Sequence, residues 1–293
     1  MNLQKLFTAP IVEQNYLDPG YSGHSSDVWH ITTAQEEVVV RVVRQQGELD
    51  GPFWQGCAFL FGLDPRNIFD LEPINALLAS VCPISVPQVL RKGITDNGPY
   101  VIVEYMPGFP LDNFSSLSEA ALEELGLALA RIHTRRFDYF GHATGRVCSP
   151  LATFQTRLVE TMTMLVEQFY QDNVQIRDAL PLFCEDALCL PPLEDGALIM
   201  VDMDPTQFLT DGERLSALVD TEAYAIGPRE LDFIALEYVF APREASALAR
   251  GYNTILPVPD LSVVRSVYRY LYRLIGIQKR MPLETWMSWP VLF

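Results

Sequence analysis

The stretch LIMVDMDPTQFLTDGERLSALVDTEAYAIGPRELDF, Leu198 to Phe233, decides the reading of this chain. Two short apolar runs each deliver an aspartate: LIMVD ends at Asp202 and LSALVD at Asp220. Between them lie Pro205, the amide Gln207 and a TDGE turn at 210–213, so the middle reads as a hairpin. An aspartate at a strand end can cap the next turn through its own backbone, and that accounts for either residue singly. It accounts less well for the joint pattern of Asp202, the Pro205 turn, Gln207, Asp220 and the later Asp232.

Upstream of this stretch the chain is rich in strands. DVWHITT (27–33) and EEVVVRVVR (36–44) are β-branched runs with a short polar link, the pattern of an antiparallel hairpin. DPGYSGHSSD (18–27) before them is a cluster of turn-forming residues. A polar, Gly-containing stretch follows the hairpin. FDLEPINALLASV (69–81) then has an acidic start, an early Pro73 and apolar residues at Ile74, Leu77, Leu78 and Val81, which is helical spacing. VPQVLRKGI, the turn TDNGP and YVIVEYM complete the strand-rich part, and PGFPL (107–111) breaks the pattern. From Ser116 the character changes. SLSEAALEELGLALARIHTRRF is a helix with a capping-box start, and SPLATFQTRLVETMTMLVEQFYQ, PREASALARGYNTI and LSVVRSVYRYLYRLIGIQKR are three more. A strand-rich front and a helix-rich back thus meet after Met106.

The chain has 293 residues, 49% hydrophobic and 20% charged, the balance of a globular protein with one large domain or two lobes. A formal net charge of −16 disfavours nucleic acid and anionic lipid as partners, because phosphate binding needs clustered Lys and Arg. No run of about 20 apolar residues and no signal-peptide pattern is present, so a cytoplasmic protein with no membrane association is expected. The five cysteines form no C-x-x-C pair and read as reduced thiols.

Phosphoryl transfer requires a carboxylate that orients the acceptor hydroxyl, and oxygen ligands for a magnesium ion shared with nucleotide phosphates. Asp202 suits the first role, and Gln207 and Asp220 the second. The protein-kinase catalytic loop spaces its Asp and metal-binding Asn as D-x-x-x-x-N, and DMDPTQ places Gln207 at that spacing after Asp202.

On these residues the chain resembles the aminoglycoside phosphotransferase family, the kinase-like small-molecule phosphotransferases that include choline and fructosamine kinases. MVDMDPTQ is similar to the family's H-G-D-x-x-P-x-N, LVDTE to its I-D-[WF]-E, and AIGPRELDF to its I-G-D-P-x-x-D-[LF]. The likeness runs from about Tyr21 to about Tyr238. It implies an α+β, protein-kinase-like two-lobed fold, with an N-terminal antiparallel sheet lobe at 1–106 and a larger, mainly helical C-terminal lobe at 107–293. It implies ATP and Mg2+ as cofactors and a small-molecule hydroxyl as acceptor, in a monomer or homodimer.

The resemblance also distributes roles. SGHSSDVW resembles the phosphate-covering loop, with Ser25 and Ser26 as donors, although a plain β-turn fits the same residues. VVVRVV resembles the strand carrying the phosphate-gripping cation, here Arg41, which is otherwise a surface arginine. Glu72 is the candidate partner of Arg41, or an acid that stabilises its helix's dipole. VIVEYMPG resembles the hinge, with the Glu104 carbonyl and the Met106 amide facing adenine. His133 and Asp232 read as structural. Two departures stand out: Met200 replaces the usual His, and Gln207 the usual Asn. They keep open an inactive, ligand-binding pseudokinase as the alternative. The acids Asp204, Glu222 and Glu230 point to an amine-bearing acceptor. The Tyr, Arg and Trp residues of the last segment point instead to a neutral or phosphorylated one.

Overall fold

The computed structural model describes residues 2–18, 25–44, 47–49, 51–277 and 281–293. The first lobe is a five-stranded antiparallel sheet of β1 (Ile11–Tyr16), β2 (Ser26–Thr33), β3 (Glu37–Val43), β4 (Val89–Thr95) and β5 (Gly98–Glu104), in the order β1-β2-β3-β5-β4. Side chains alternate across a strand, so β3 is buried on both faces in two different ways. Val38, Val40 and Val42 pack with Ile31, Leu3 and Phe7 on one face. Val43, with Val101 and Val103 of β5, packs on the other against Ile68 and Leu71. Arg41 belongs to this second face.

Two helices connect β3 to β4. The second, α2 (Leu71–Val81), is the helix expected from its spacing. The first, α1 (Gly51–Phe61), was expected only as a polar, Gly-containing stretch and is a correction. Gly51, Pro52 and Gly56 read locally as breakers. The apolar residues Phe53, Trp54, Cys57, Leu60 and Phe61 surround the axis rather than forming a stripe, and a helix apolar all round is stable only when buried. Although it is attached to the first lobe, α1 packs on helices of the second.

The second lobe begins with β6 (Phe109–Pro110) and α3 (Glu119–Thr134). Ser118 caps α3, accepting the Ala121 N–H at 3.1 Å. The expected capping box is only half formed, because the residue three places after Ser118 is Ala121, which has no carboxylate to return the bond. β7 (Arg136–Phe137), β8 (Tyr139–His142), β9 (Cys148–Pro150) and α4 (Phe154–Phe169) follow. Then comes α5 (Val174–Leu188), which holds Pro181 inside it and had no counterpart in the sequence reading. The remaining strands are β10 (Gly196–Met200), β11 (Phe208–Thr210), β12 (Leu215–Leu218) and β13 (Tyr224–Gly227). The closing helices are α6 (Glu230–Val239), α7 (Pro242–Tyr252), α8 (Arg265–Ile275) and α9 (Leu283–Met287). β10 and β13 are central in the sheet β7-β10-β13-β8-β9, and β11 is central in β12-β11-β6. Helices dominate this lobe, and the fold class is the α+β, two-lobed one expected. Among the described residues no helix is long and apolar enough to cross a membrane.

Candidate active site

β10 is fully buried and ends at Met200, so the chain leaves the sheet with Val201 and presents Asp202 at the strand's C-terminal edge. The loop that follows is tightly bonded. Asp204 N–H reaches the Asp202 carbonyl at 3.0 Å, and the Gln207 N–H reaches the Asp204 carbonyl at 3.2 Å. The Asp204 carboxylate accepts the Thr206 N–H at 2.8 Å and caps the one-turn 3-10 helix Pro205–Gln207. Pro205 opens that turn because it has no N–H to leave unpaired there.

Met200 is held through its backbone. Asp232, at the start of α6, accepts the Met200 N–H at 3.0 Å and is itself bonded to His133 Nε2 at 3.1 Å. His133 Nδ1 meets the Tyr252 hydroxyl at 2.9 Å. These three side chains are buried, so α3, α6 and α7 jointly fix the root of the loop, whatever side chain stands at 200. Burial pushes the Asp232 carboxyl up, and His133 opposes the rise.

The β11–β12 hairpin brings Asp220 to the same place. Val219 N–H bonds to the Gln207 carbonyl at 2.8 Å, so the backbone at Gln207 runs against the strand end that leads into Asp220. Asp220 adopts φ 60°, the left-handed conformation, and is the only non-glycine residue to do so among the described residues. Such strain costs of order 1 kcal/mol and gathers at functional sites. The Gln207 amide is only 4% exposed, yet its Oε1 has no hydrogen-bond partner among the described residues. A buried carbonyl oxygen left unpaired costs about 1–3 kcal/mol, so this one is open to a water or an ion.

Arg41 reaches across from β3. Its Nη2 donates to Asp220 Oδ1 at 2.7 Å and also to Glu222 Oε1. Burial works against the Arg41 charge, but Glu222 and Asp220 outweigh it and raise its pKa. Burial pushes Glu222 up to about 8 against the pull of Arg41, and the Asp220 charge adds to the rise. Asp220 is half exposed. Burial opposes its ionisation, but Arg41 outweighs that and holds it below the usual carboxylate range. Asp220 is therefore the ionised member of the pair. Asp202 rises to about 7, chiefly by burial, then through the charges of Asp204 and Asp220.

Glu72 does not meet Arg41. It pairs with Lys92 of β4, and both side chains are nearly half exposed. Glu72 lies in the first turn of α2 while Arg41 points to the second lobe, so the expected pair is replaced by Arg41–Asp220–Glu222. The helix touches the site through Asn75 instead, which accepts the Thr221 hydroxyl's hydrogen bond and donates to the Pro87 carbonyl at 2.8 Å. Glu222 is the residue missed as the partner. The signal was its position two after Asp220, which puts both acids on one short turn.

Ser25 and Ser26 are buried at the start of β2, and Ser26 Oγ has no partner among the described residues. The rest of the proposed phosphate-covering loop, 19–24, lies outside the described residues. Glu104 ends β5, with its N–H on the Gln88 carbonyl at 3.0 Å. Met106 follows in the link to β6, beside Tyr105, whose ring stacks on His30 at 4.3 Å. No group of three or more His, Cys, Asp or Glu residues is gathered for a metal among the described residues. Magnesium needs no such group, since one or two side-chain oxygens and substrate phosphates suffice. The orphaned Gln207 Oε1 and the Asp220 carboxylate, on one hairpin, are oxygen donors of that kind.

The sequence from residue 19 to 265 matches the model of the phosphotransferase enzyme family. The chain belongs to that family. None of the curated proteins matches it by sequence. Among solved structures, it is similar to macrolide 2′-phosphotransferase MphH from Brachybacterium faecium at 15% identity. That match covers 94% of this chain and 89% of the other, with a TM-score of 0.63. Aminoglycoside phosphotransferase APH(4)-Ia, solved with ADP and hygromycin B, is similar at 16% identity, with 98% and 90% covered and a TM-score of 0.62. Aminoglycoside phosphotransferase APH(2″)-IIIa, solved with GDP and kanamycin, gives 19%, 98% and 93%, and 0.61. At these identities the likeness is one of fold, and within the phosphotransferase family it is the site's own residues that speak for chemistry.

Proposed function

We propose that this chain moves the γ-phosphoryl group of ATP to a hydroxyl of a small molecule, with Mg2+. The carrying observation is the buried, unpaired Gln207 Oε1 on the hairpin that delivers Asp220 in its left-handed turn. Gln207 and Asp220 would hold the ion, which neutralises phosphate charge when bound. Arg41 grips the phosphates, and Ser25 and Ser26 donate to them at the start of β2. Glu72 stands at the sheet edge on Lys92 and serves the phosphate side only through α2. The Glu104 carbonyl and Met106 amide face the adenine, and the lobe boundary falls there, between 106 and 107.

Asp202 orients the acceptor hydroxyl and takes its proton. The acceptor oxygen bonds to the γ-phosphorus as the bond to the leaving ADP oxygen breaks. Its raised pKa suits a base working near neutrality. Met200 does not weaken this reading, because the loop is tied by the Asp232 carboxylate to a backbone N–H.

Thermal shift with ATP, with and without Mg2+, is the test. Stabilisation by ATP that requires the metal and disappears in Gln207→Ala supports the reading. Binding indifferent to metal in both proteins would favour the binding-only alternative.

A further inference from the structure

Asp220 stands in a left-handed conformation at φ 60°, which a residue with a side chain keeps only where its surroundings over-determine it. Its own carboxylate does not supply the restraint, since it makes no capping bond to the one-turn 3-10 helix Thr221–Ala223 that follows. The restraint comes from both flanks. Before Asp220, the Leu218 N–H bonds to the Ser85 carbonyl at 2.8 Å and the Val219 N–H to the Gln207 carbonyl at 2.8 Å. After it, Glu222 is tied to Arg41. Between these ties stands Thr221, whose hydroxyl bonds to Asn75 of α2.

Proton counting fixes the polarity of that last link. The Pro87 carbonyl can only accept, so the Asn75 amide turns its Nδ2 to it, at 2.8 Å, and its Oδ1 to Thr221. The Thr221 hydroxyl is therefore the donor to Asn75. Both side chains are buried, so removing one hydrogen-bonding group strands the other away from water. Ser85 and Pro87 both belong to the link between α2 and β4. The helix and its link thus grip the hairpin at two points, Leu218 before Asp220 and Thr221 after it. The acid of the same helix, Glu72, faces Lys92 instead.

Resting on the phosphotransfer reading, we infer that Asn75 and Thr221 are positioning residues for the divalent ion: their buried hydrogen bond holds the turn at Asp220, and with it the carboxylate that meets the metal. α2 thereby serves the metal through an amide rather than through its acid. Breaking the bond frees the turn to relax from its left-handed conformation, while Arg41 keeps Glu222. Metal binding is then lost in preference to nucleotide binding. A pair that served packing alone would not distinguish threonine from valine, which has the same shape without the hydroxyl.

Calorimetric titration of ADP into the intact chain, with and without Mg2+, separates the metal from the nucleotide. In the wild-type protein Mg2+ is expected to tighten ADP binding. Thr221→Val is expected to lose about tenfold of that metal-dependent gain, with metal-free ADP binding unchanged. Thr221→Ser, which keeps the hydroxyl, is expected to retain the gain. Asn75→Ala breaks the same bond from α2 and should repeat the valine result, which keeps the test open if Thr221→Val fails to fold. An undiminished Mg2+ effect in the folded variants overturns the inference. So does an equal loss in Thr221→Ser, which makes packing the cause, or an equal loss of ADP binding without metal. Absence of any Mg2+ effect in the wild-type protein is a separate failure: it falls on the phosphotransfer reading and removes the ion that Asn75 and Thr221 would serve.

Discussion

Asp202 is a carboxyl that folding makes reluctant to ionise, with a pKa raised to about 7. Two consequences have opposite signs. Transfer needs the carboxylate, so the rate is expected to climb as pH rises through about 7, and a pH–rate profile of kcat/KM checks this. Stability runs the other way. A carboxyl raised above its unfolded value favours the fold at low pH and loses that contribution as pH rises from about 4 through 7. Asp202→Asn should therefore abolish transfer, yet unfold at higher denaturant at pH 8, by about 2 kcal/mol, with the gain absent at pH 4. Gln207 makes the complementary case. Gln207→Ala removes the unpaired oxygen, so the fold should tolerate it while transfer falls by about 100-fold and the midpoint for Mg2+ activation rises. A magnesium titration of activity measures both.

Among elements, the anchoring of the Asp202 loop depends on helix contacts made far away in sequence. α3 and α7 cross so closely that a Cβ on Gly126 would stand 2.0 Å from the Leu248 carbonyl oxygen, and one on Gly251 1.9 Å from that of Glu123. Gly126→Ala is expected to force the helices apart at a cost of about 2 kcal/mol, seen as a lower urea midpoint with an unchanged slope. His133 sits on the same helix and bridges Tyr252 and Asp232. His133→Ala leaves Asp232 buried without its partner, an expected loss of about 3 kcal/mol in the same unfolding experiment. α1 is the element least apparent locally. Its glycines and proline predicted no helix, and only burial against α4 and α8 makes an all-apolar segment helical. Gly56 shows why the pairing works, since a Cβ there would lie 2.7 Å from Ile275.

At the scale of the whole molecule, Arg41 is one tie between lobes: a strand residue of the first bonded to two acids of the second. Glu222→Gln weakens its placement without touching Asp202, so KM for ATP should rise about tenfold while kcat falls by less, a split that steady-state kinetics resolves. Much of this arrangement was legible from residues alone. The apolar runs ending near Asp202 and Asp220, the alternation of β2 and β3, and the helical spacing of α2, α3 and α8 are local signals. Strand and helix periods are properties of neighbouring residues, and so they survive without a structure. What sequence order cannot encode is which charges meet between the two lobes. Glu72 and Glu222 are equally plausible partners for Arg41 by residue type, and only the crossing of the two lobes sent Arg41 to Glu222 and left Glu72 with Lys92. The sequence alone determined the antiparallel sheet of the front, the helices of the back and the apolar runs that lead to Asp202 and Asp220, because these rest on short-range patterns. The tertiary structure decided the ion pairs, the burial of α1 against α4 and α8 and the unpaired oxygen of Gln207. Each of those depends on what distant segments bury together.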